Sequence, residues 1–150
     1  MDIFNQDFSD FIASLNAYDV HYVLIGGYAV VIRGYSRSTG DMDIWVEKTS
    51  QNYTKLMTAF YHFGLPTSAI SLEQFLGNEN DVFSFGREPS AIDILTRVKG
   101  LDFSETWQNA TWEQLDNCTV KVIHIKQLIQ AKIAAGRFKD LNDLENLPPN

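Results

Sequence analysis

The stretch "VHYVLIGGYAVVIRGYSRSTGDMDIWV" (residues 20–46) holds two apolar, β-rich runs separated by a glycine pair and a loop. The first run, VHYVLI (20–25), predicts a buried strand that ends at Gly26-Gly27. YAVVIRGY then reads as a short helix closed by Gly34, and RSTG as a loop. DMDIWV (41–46) is the next strand. Side chains alternate along it, so Asp41, Asp43 and Trp45 share one face while Met42, Ile44 and Val46 share the other. Two like charges on one strand face repel each other and resist burial, so the site must open to water or to a cation.

Outward from this stretch, helices and strands alternate. Phe4, Phe8, Phe11, Ile12 and Leu15 recur at helical spacing, which predicts an amphipathic helix over 3–17 with its aromatic residues in the core. Thr49 or Ser50 can cap a helix running to about Phe63, closed by Gly64 and Pro66. Ser71-Leu72-Glu73-Gln74 fits a capping box for a short helix. DVFSF (81–85) and AIDILTRV (91–98) read as a hairpin with GREPS (86–90) as its turn. A shorter helix–strand passage covers 103–124 and ends in TVKVIHI. The final segment is strongly helical, broken at Gly136 and terminated by PPN. This order predicts one α/β (α+β) domain over 1–150, a mixed sheet flanked by helices. Its core spans about 20–98, and a C-terminal helical segment covers about 125–147.

Of the 150 residues, 45% are hydrophobic and 13% aromatic, enough for a real core and too apolar for disorder. No apolar run approaches the roughly 20 residues of a membrane span. The acidic N-terminus lacks the basic-then-apolar pattern of a signal peptide. The single cysteine, Cys118, excludes an internal disulfide and a multi-cysteine zinc site, and reads as a structural thiol. A cytoplasmic location follows as the default. The net charge of −7 disfavours non-specific nucleic-acid binding, which needs Lys and Arg against phosphates, but leaves room for a local basic pocket. His21, His62 and His124 are scattered without metal-ligand spacing.

Three features carry chemistry. Asp41 and Asp43 lie close enough to share a hard divalent cation, since Mg²⁺ takes one or two carboxylates plus phosphate oxygens and water. Gly26 and Gly27, before a helix start, let backbone approach a ligand and present N–H groups to phosphate. Asp93 in AIDIL is a lone charge in an apolar strand, and completes a three-carboxylate cluster if that strand pairs beside 41–46. Arg37 and Ser38, just before the acids, can reach phosphate oxygens or simply occupy a surface loop. Lys132, Arg137 and Lys139 form either a phosphate- or RNA-contacting patch or a solvated helix face with i,i+4 support such as Lys139 near Asp143. Arg33, near the end of the short helix, suits its dipole and has no catalytic assignment.

The combination resembles the nucleotidyltransferase superfamily typified by DNA polymerase beta. Ile25-Gly26-Gly27, the gap of residues 28–40, Asp41-Met42-Asp43-Ile44 and the later Ile92-Asp93-Ile94 match its pattern, with the gap at the upper end of the usual range. The stretch from Tyr22 to Val46 looks more narrowly like small bacterial and archaeal nucleotidyltransferase-like proteins related to abortive-infection and toxin–antitoxin nucleotidyltransferases. LIQAKIAAGRFKDLNDLENL is similar to their ending, with a Lys, an Arg-x-Lys-Asp and a further Asp. The resemblance implies a nucleotidyltransferase-type sheet and a two-metal mechanism. Asp41 and Asp43 would hold two Mg²⁺ (or Mn²⁺) ions, and Asp93 would ligate the catalytic one and assist deprotonation of the acceptor. Gly26, Gly27 and the helix start would hold a nucleoside triphosphate such as ATP.

The implied activity moves a nucleoside monophosphate to a hydroxyl on a protein, an RNA end or a small molecule. The chain is too short for separate polymerase domains and leaves little length for a dedicated acceptor domain. A protein or tRNA acceptor in a toxin–antitoxin system is therefore the expectation. The alternative is a weak or inactive antitoxin-like or regulatory binding protein that keeps the fold, with apolar faces on the last helices for a toxin or antitoxin partner or a homodimer. A divalent-metal hydrolase is a third reading, against which the Gly-Gly turn favours transfer.

Overall fold

The computed structural model describes residues 3–87 and 90–148. Asn5 caps the first helix, α1 (Gln6–Ala17), through its side-chain oxygen and the Phe8 N–H, so the helix begins three residues later than its apolar periodicity predicts. Phe8, Phe11, Ile12 and Leu15 form the buried stripe of α1. Strand β1 (Tyr22–Ile25) is buried throughout, and α2 (Gly26–Ile32) follows it directly. Strand β2 (Met42–Val46) comes next, then α3 (Ser50–Phe63), capped by Thr49 and closed by Gly64 in the left-handed conformation. Phe11 packs against Phe60 and Phe63, with ring centroids 6.0 and 5.2 Å away, and so joins α1 to α3. The capping box at Ser71 and Gln74 opens α4 (Leu72–Leu76) as its sequence predicts.

β3 (Val82–Phe85) and β4 (Ile92–Leu95) pair antiparallel. Glu88 and Pro89, within the GREPS turn expected between them, lie outside the described residues, as do Pro149 and Asn150 of the terminal PPN. The 103–124 passage contains α5 (Phe103–Asn109), β5 (Thr111–Gln114) and β6 (Thr119–Val122). The end of the chain is α6 (Ile125–Ala135), a left-handed Gly136, and α7 (Phe138–Asn146). Among the described residues, no helix is long and apolar enough to cross a membrane.

Six strands among the described residues make one mixed sheet in the order β3-β4-β2-β1-β6-β5. β1 runs antiparallel to β2 and parallel to β6, and β2 runs parallel to β4. The central strands carry the most apolar segments, because both of their faces are covered. Several polar side chains fix this frame. Asn52, buried in α3, accepts from His21 N–H (2.8 Å) and donates to the carbonyls of His21 (3.0 Å) and Glu47 (2.9 Å), tying the helix to the ends of β1 and β2. Arg33 donates to the carbonyls of Val122 and Ile123 and to Glu113, which staples the end of α2 to β6 and β5. Helix-dipole complementarity therefore understates its structural role. His124 caps α6 by accepting from Lys126 N–H, His21 pairs with Glu47, and His62 stacks on Tyr18. Cys118 is a free, half-buried thiol, and burial raises its pKa.

Candidate active site

The register of three adjacent strands builds the site. Ile25 at the end of β1 lies opposite Asp43, and Asp43 lies opposite Asp93 on the parallel β4. Side chains of paired residues in neighbouring strands leave the same face of the sheet. The two carboxyl groups meet there, and Asp93 acts on Asp43 through its charge and a side-chain hydrogen bond. Burial first, then the Asp93 charge and that hydrogen bond, push the Asp43 carboxyl up to about 7. Ser84, on the partner strand β3, donates to Asp93 Oδ1 at 2.6 Å and orients it. Farther along the same face, Trp45 is buried and meets Phe103 of α5 edge-on. The face is thus closed by α5 at Trp45 and open at Asp43.

Gly26 carries φ +72°, and a Cβ there would run into the Asp43 carboxylate. A Cβ on Gly27 would run into the Thr39 hydroxyl. The glycine pair therefore makes room for the protein's own acid and loop as well as for a ligand. Gly26→Ala is expected to lower stability by about 1–3 kcal/mol, from the left-handed conformation and the displaced acid. Moving Asp43 by even an ångström should also lower the activity of the site by about a hundredfold. Thermal melting and an activity assay check the two effects separately.

All the candidate residues, Gly26, Gly27, Arg37, Ser38, Asp41, Asp43, Asp93, Lys132, Arg137 and Lys139, line one cavity of about 410 Å³, together with Thr39 and Gly40. Their roles within it differ from the expectations in two respects. First, Asp41 has a structural duty as well: its charge acts on Asp43, while its Oδ1 accepts from Ala91 N–H at 3.0 Å and anchors the start of β4 beside β2. Among the described residues, no group of three or more His, Cys, Asp or Glu side chains comes together to hold a metal. Second, most of the cations are already paired. Arg37 grips Asp143 with Nε (2.7 Å) and Nη2 (2.9 Å). Lys132, only 6% exposed, bridges Asp140 and Asp143 at 3.1 Å each. Arg137 Nε contacts Asp140 at 2.6 Å. Asp143 therefore pairs with Arg37 and Lys132 rather than with Lys139. Lys139 is exposed at the cavity wall, and its charge acts on Asp43.

Periodicity gave no warning that Asp140 and Asp143 are buried. They sit three apart on α7, one helical face turned to α6, so an acidic pair at i,i+3 facing a lysine was the readable signal. Burial alone would raise both carboxyls, but hydrogen bonds from Arg137 and Lys132 to Asp140, and from Arg37 and Lys132 to Asp143, hold both below the usual carboxylate range. Three cations balance two carboxylates in this network, so it leaves a positive wall facing Asp43 and Asp93. The donor set fits a divalent ion that brings phosphate oxygens with it. Two juxtaposed carboxyls supply the one or two protein ligands that such an ion needs, whereas an all-protein cage lacks ligands. The last helices also expose Ile133 (64%), Phe138 (93%) and Leu141 (49%).

Two solved structures share this architecture over most of their length. One is the Thermotoga maritima protein TM1012, whose own assignment as a nucleotidyltransferase is provisional; it is 12% identical, with a TM-score of 0.65 over 92% of this chain and 88% of that one. The other is the lincosamide antibiotic adenylyltransferase LnuA in its lincomycin-bound form; it is 16% identical, with a TM-score of 0.61 over 97% of both chains. The fold is that of the nucleotidyltransferases. No family model matches the chain, and no curated protein matches it in sequence. In this nucleotidyltransferase fold the Asp43–Asp93 pair occupies the meeting point of the central strands, and the C-terminal helices supply the cationic wall.

Proposed function

We propose that the chain transfers a nucleoside monophosphate from a nucleoside triphosphate to a hydroxyl group, releasing pyrophosphate. The observation that carries this reading is the in-register Asp43–Asp93 pair beside Gly26, in a cavity whose opposite wall is cationic. The Gly26-Gly27 backbone and the Arg37–Gly40 loop would receive the polyphosphate. Lys139 would stand nearest to its free charge. Arg37, Lys132 and Arg137 would act through the positive field of their network more than as loose phosphate ligands. Asp43 and Asp93, with Asp41 in reserve, would hold Mg²⁺ or Mn²⁺ ions. Such ions, when bound, supply charge stabilisation of the transferred phosphoryl group and of the leaving pyrophosphate. Asp93, which Ser84 orients, would take the proton from the acceptor hydroxyl.

The expectation of a protein or tRNA acceptor rested on chain length. LnuA matches this chain over 97% of both, so length does not argue against a small-molecule acceptor. The test is incubation with each labelled triphosphate, Mg²⁺ or Mn²⁺ and candidate acceptors, beside an Asp41→Asn/Asp43→Asn variant. Transfer in the wild type and its loss in the variant support the reading; transfer that survives the double substitution overturns it. No transfer, together with tight binding to a protein encoded next door, would instead support the antitoxin-like or regulatory role.

A further inference from the structure

A second cavity, of about 290 Å³, adjoins the first at the same acids. It shares Gly26, Asp43, Asp93, Lys132, Arg137 and Lys139 with the polar cavity, but its remaining wall is apolar. Val82 of β3, Leu95 and Val98 at the end of the β4 segment, and Leu128, Ala131 and Ala135 of α6 form that wall. Leu128, Ala131 and Ala135 recur at i, i+3 and i+7, so one face of α6 floors the cavity. The charged groups lining it, Asp43, Asp93, Lys132, Arg137, Lys139 and Asp140, belong to the carboxylate pair, the salt-bridge network or the cavity wall near Asp43.

Phosphoryl transfer displaces its leaving group in line, so the attacking hydroxyl and the departing pyrophosphate lie on opposite sides of the reacting phosphorus. Pyrophosphate belongs in the polar cavity, which alone holds Gly27 and the Arg37–Gly40 loop, and this places the acceptor toward the apolar wall beside Asp43 and Asp93. Resting on the nucleotidyl-transfer reading, the geometry points to the apolar cavity as the acceptor site, and to the acceptor as a small molecule with an apolar body and a hydroxyl at one end. Its volume is at the small-molecule end of ligand pockets. An RNA end would bring further phosphates against Val82, Leu95, Val98, Leu128, Ala131 and Ala135, which offer them no charge, on a chain of charge −7. In the reaction, a bond forms between the acceptor oxygen and the α-phosphorus, the bond from that phosphorus to the pyrophosphate oxygen breaks, and the hydroxyl proton passes to Asp93.

The test needs no turnover. Methyl-labelled protein is titrated with three apolar alcohols, cyclohexanol, 2-phenylethanol and menthol, while the NMR signals of Val82, Leu95, Val98 and Leu128 are followed. Binding of each common ribonucleoside triphosphate, as its α,β-methylene analogue with Mg²⁺, is measured on the same samples. Ala131→Phe fills the cavity floor, and Ala135→Phe, at an exposed position, fills the mouth if the first variant fails to fold. The expected result is saturable shifts of those methyls in the wild type and at least about a tenfold loss of alcohol affinity in the filled variant. Triphosphate affinity should stay within about twofold. An equal loss of triphosphate affinity would place the nucleobase there and overturn the assignment. So would absence of alcohol binding, or transfer to RNA or protein that persists in the filled variant. A wild type that binds no triphosphate fails the nucleotidyl-transfer reading itself, and the acceptor role with it, even if the alcohols bind.

Discussion

Asp43→Asn is expected to yield a protein that is inactive in transfer and more stable than the wild type at pH 8. The folded structure holds Asp43 protonated up to about pH 7, far above the ordinary value of 3.8. Between those values the folded state keeps a proton that the unfolded state has lost. Stability of the wild type is therefore fully present below about 3.8, falls as pH rises through the interval, and levels off above about 7. The displacement sets a ceiling of about 4 kcal/mol, and relaxation of the pocket should reduce the realised gain in the variant at pH 8 to about 2 kcal/mol. Asn keeps the shape and can still hydrogen-bond to Asp93, but it never ionises. Urea unfolding at pH 5 and pH 8 measures the effect: the variant should exceed the wild type at pH 8 and converge toward it at pH 5. A variant no more stable than the wild type at pH 8 would show that the carboxyl pair is not strained by its burial. The trade of stability for a charged site is common where function requires acids to be close together.

The second large effect is expected at Lys132, with the opposite sign. Lys132→Met keeps the length and the apolar stem but removes the ammonium between Asp140 and Asp143, which are 0% and 1% exposed. Breaking a buried pair from one side typically costs 3–5 kcal/mol, because the partner charge stays buried. Arg37 and Arg137 still hold one carboxylate each, so a loss of about 3 kcal/mol is expected, read as a fall in the urea midpoint at pH 7. Both aspartates are held below their ordinary value, so their contribution is present above about 3.8 and is lost as pH falls through their folded values. The Lys132→Met penalty should therefore shrink on acidification. A penalty independent of pH would mean that Lys132 acts by packing alone.

The strand–turn–helix–loop–strand run at 20–46, the capping box at Ser71 and the helix break at Gly136 were readable because each depends on neighbours in sequence: period, cap and left-handed glycine. Asp41, Asp43 and Asp93 stood out for a related reason, since a lone charge in an apolar strand needs an explanation. The pairings were not readable. Asp41 and Asp43 look equivalent on one strand face, yet the register with the β4 segment gives Asp43 a carboxyl neighbour and, two residues earlier, gives Asp41 a backbone N–H. Likewise, Arg37 and Asp143 are 106 residues apart, and local spacing says nothing about such a contact.

The sequence by itself therefore determined which elements form, where glycine is required and which acids are out of place in apolar strands. The tertiary structure alone decided which of those acids face each other, which cations are neutralised, and that a polar and an apolar cavity meet at Asp43 and Asp93. The physical reason is range. Helix caps and strand periodicity act over a few residues, whereas charge pairing and cavity shape are set by strand register and helix docking between segments that are far apart in the chain.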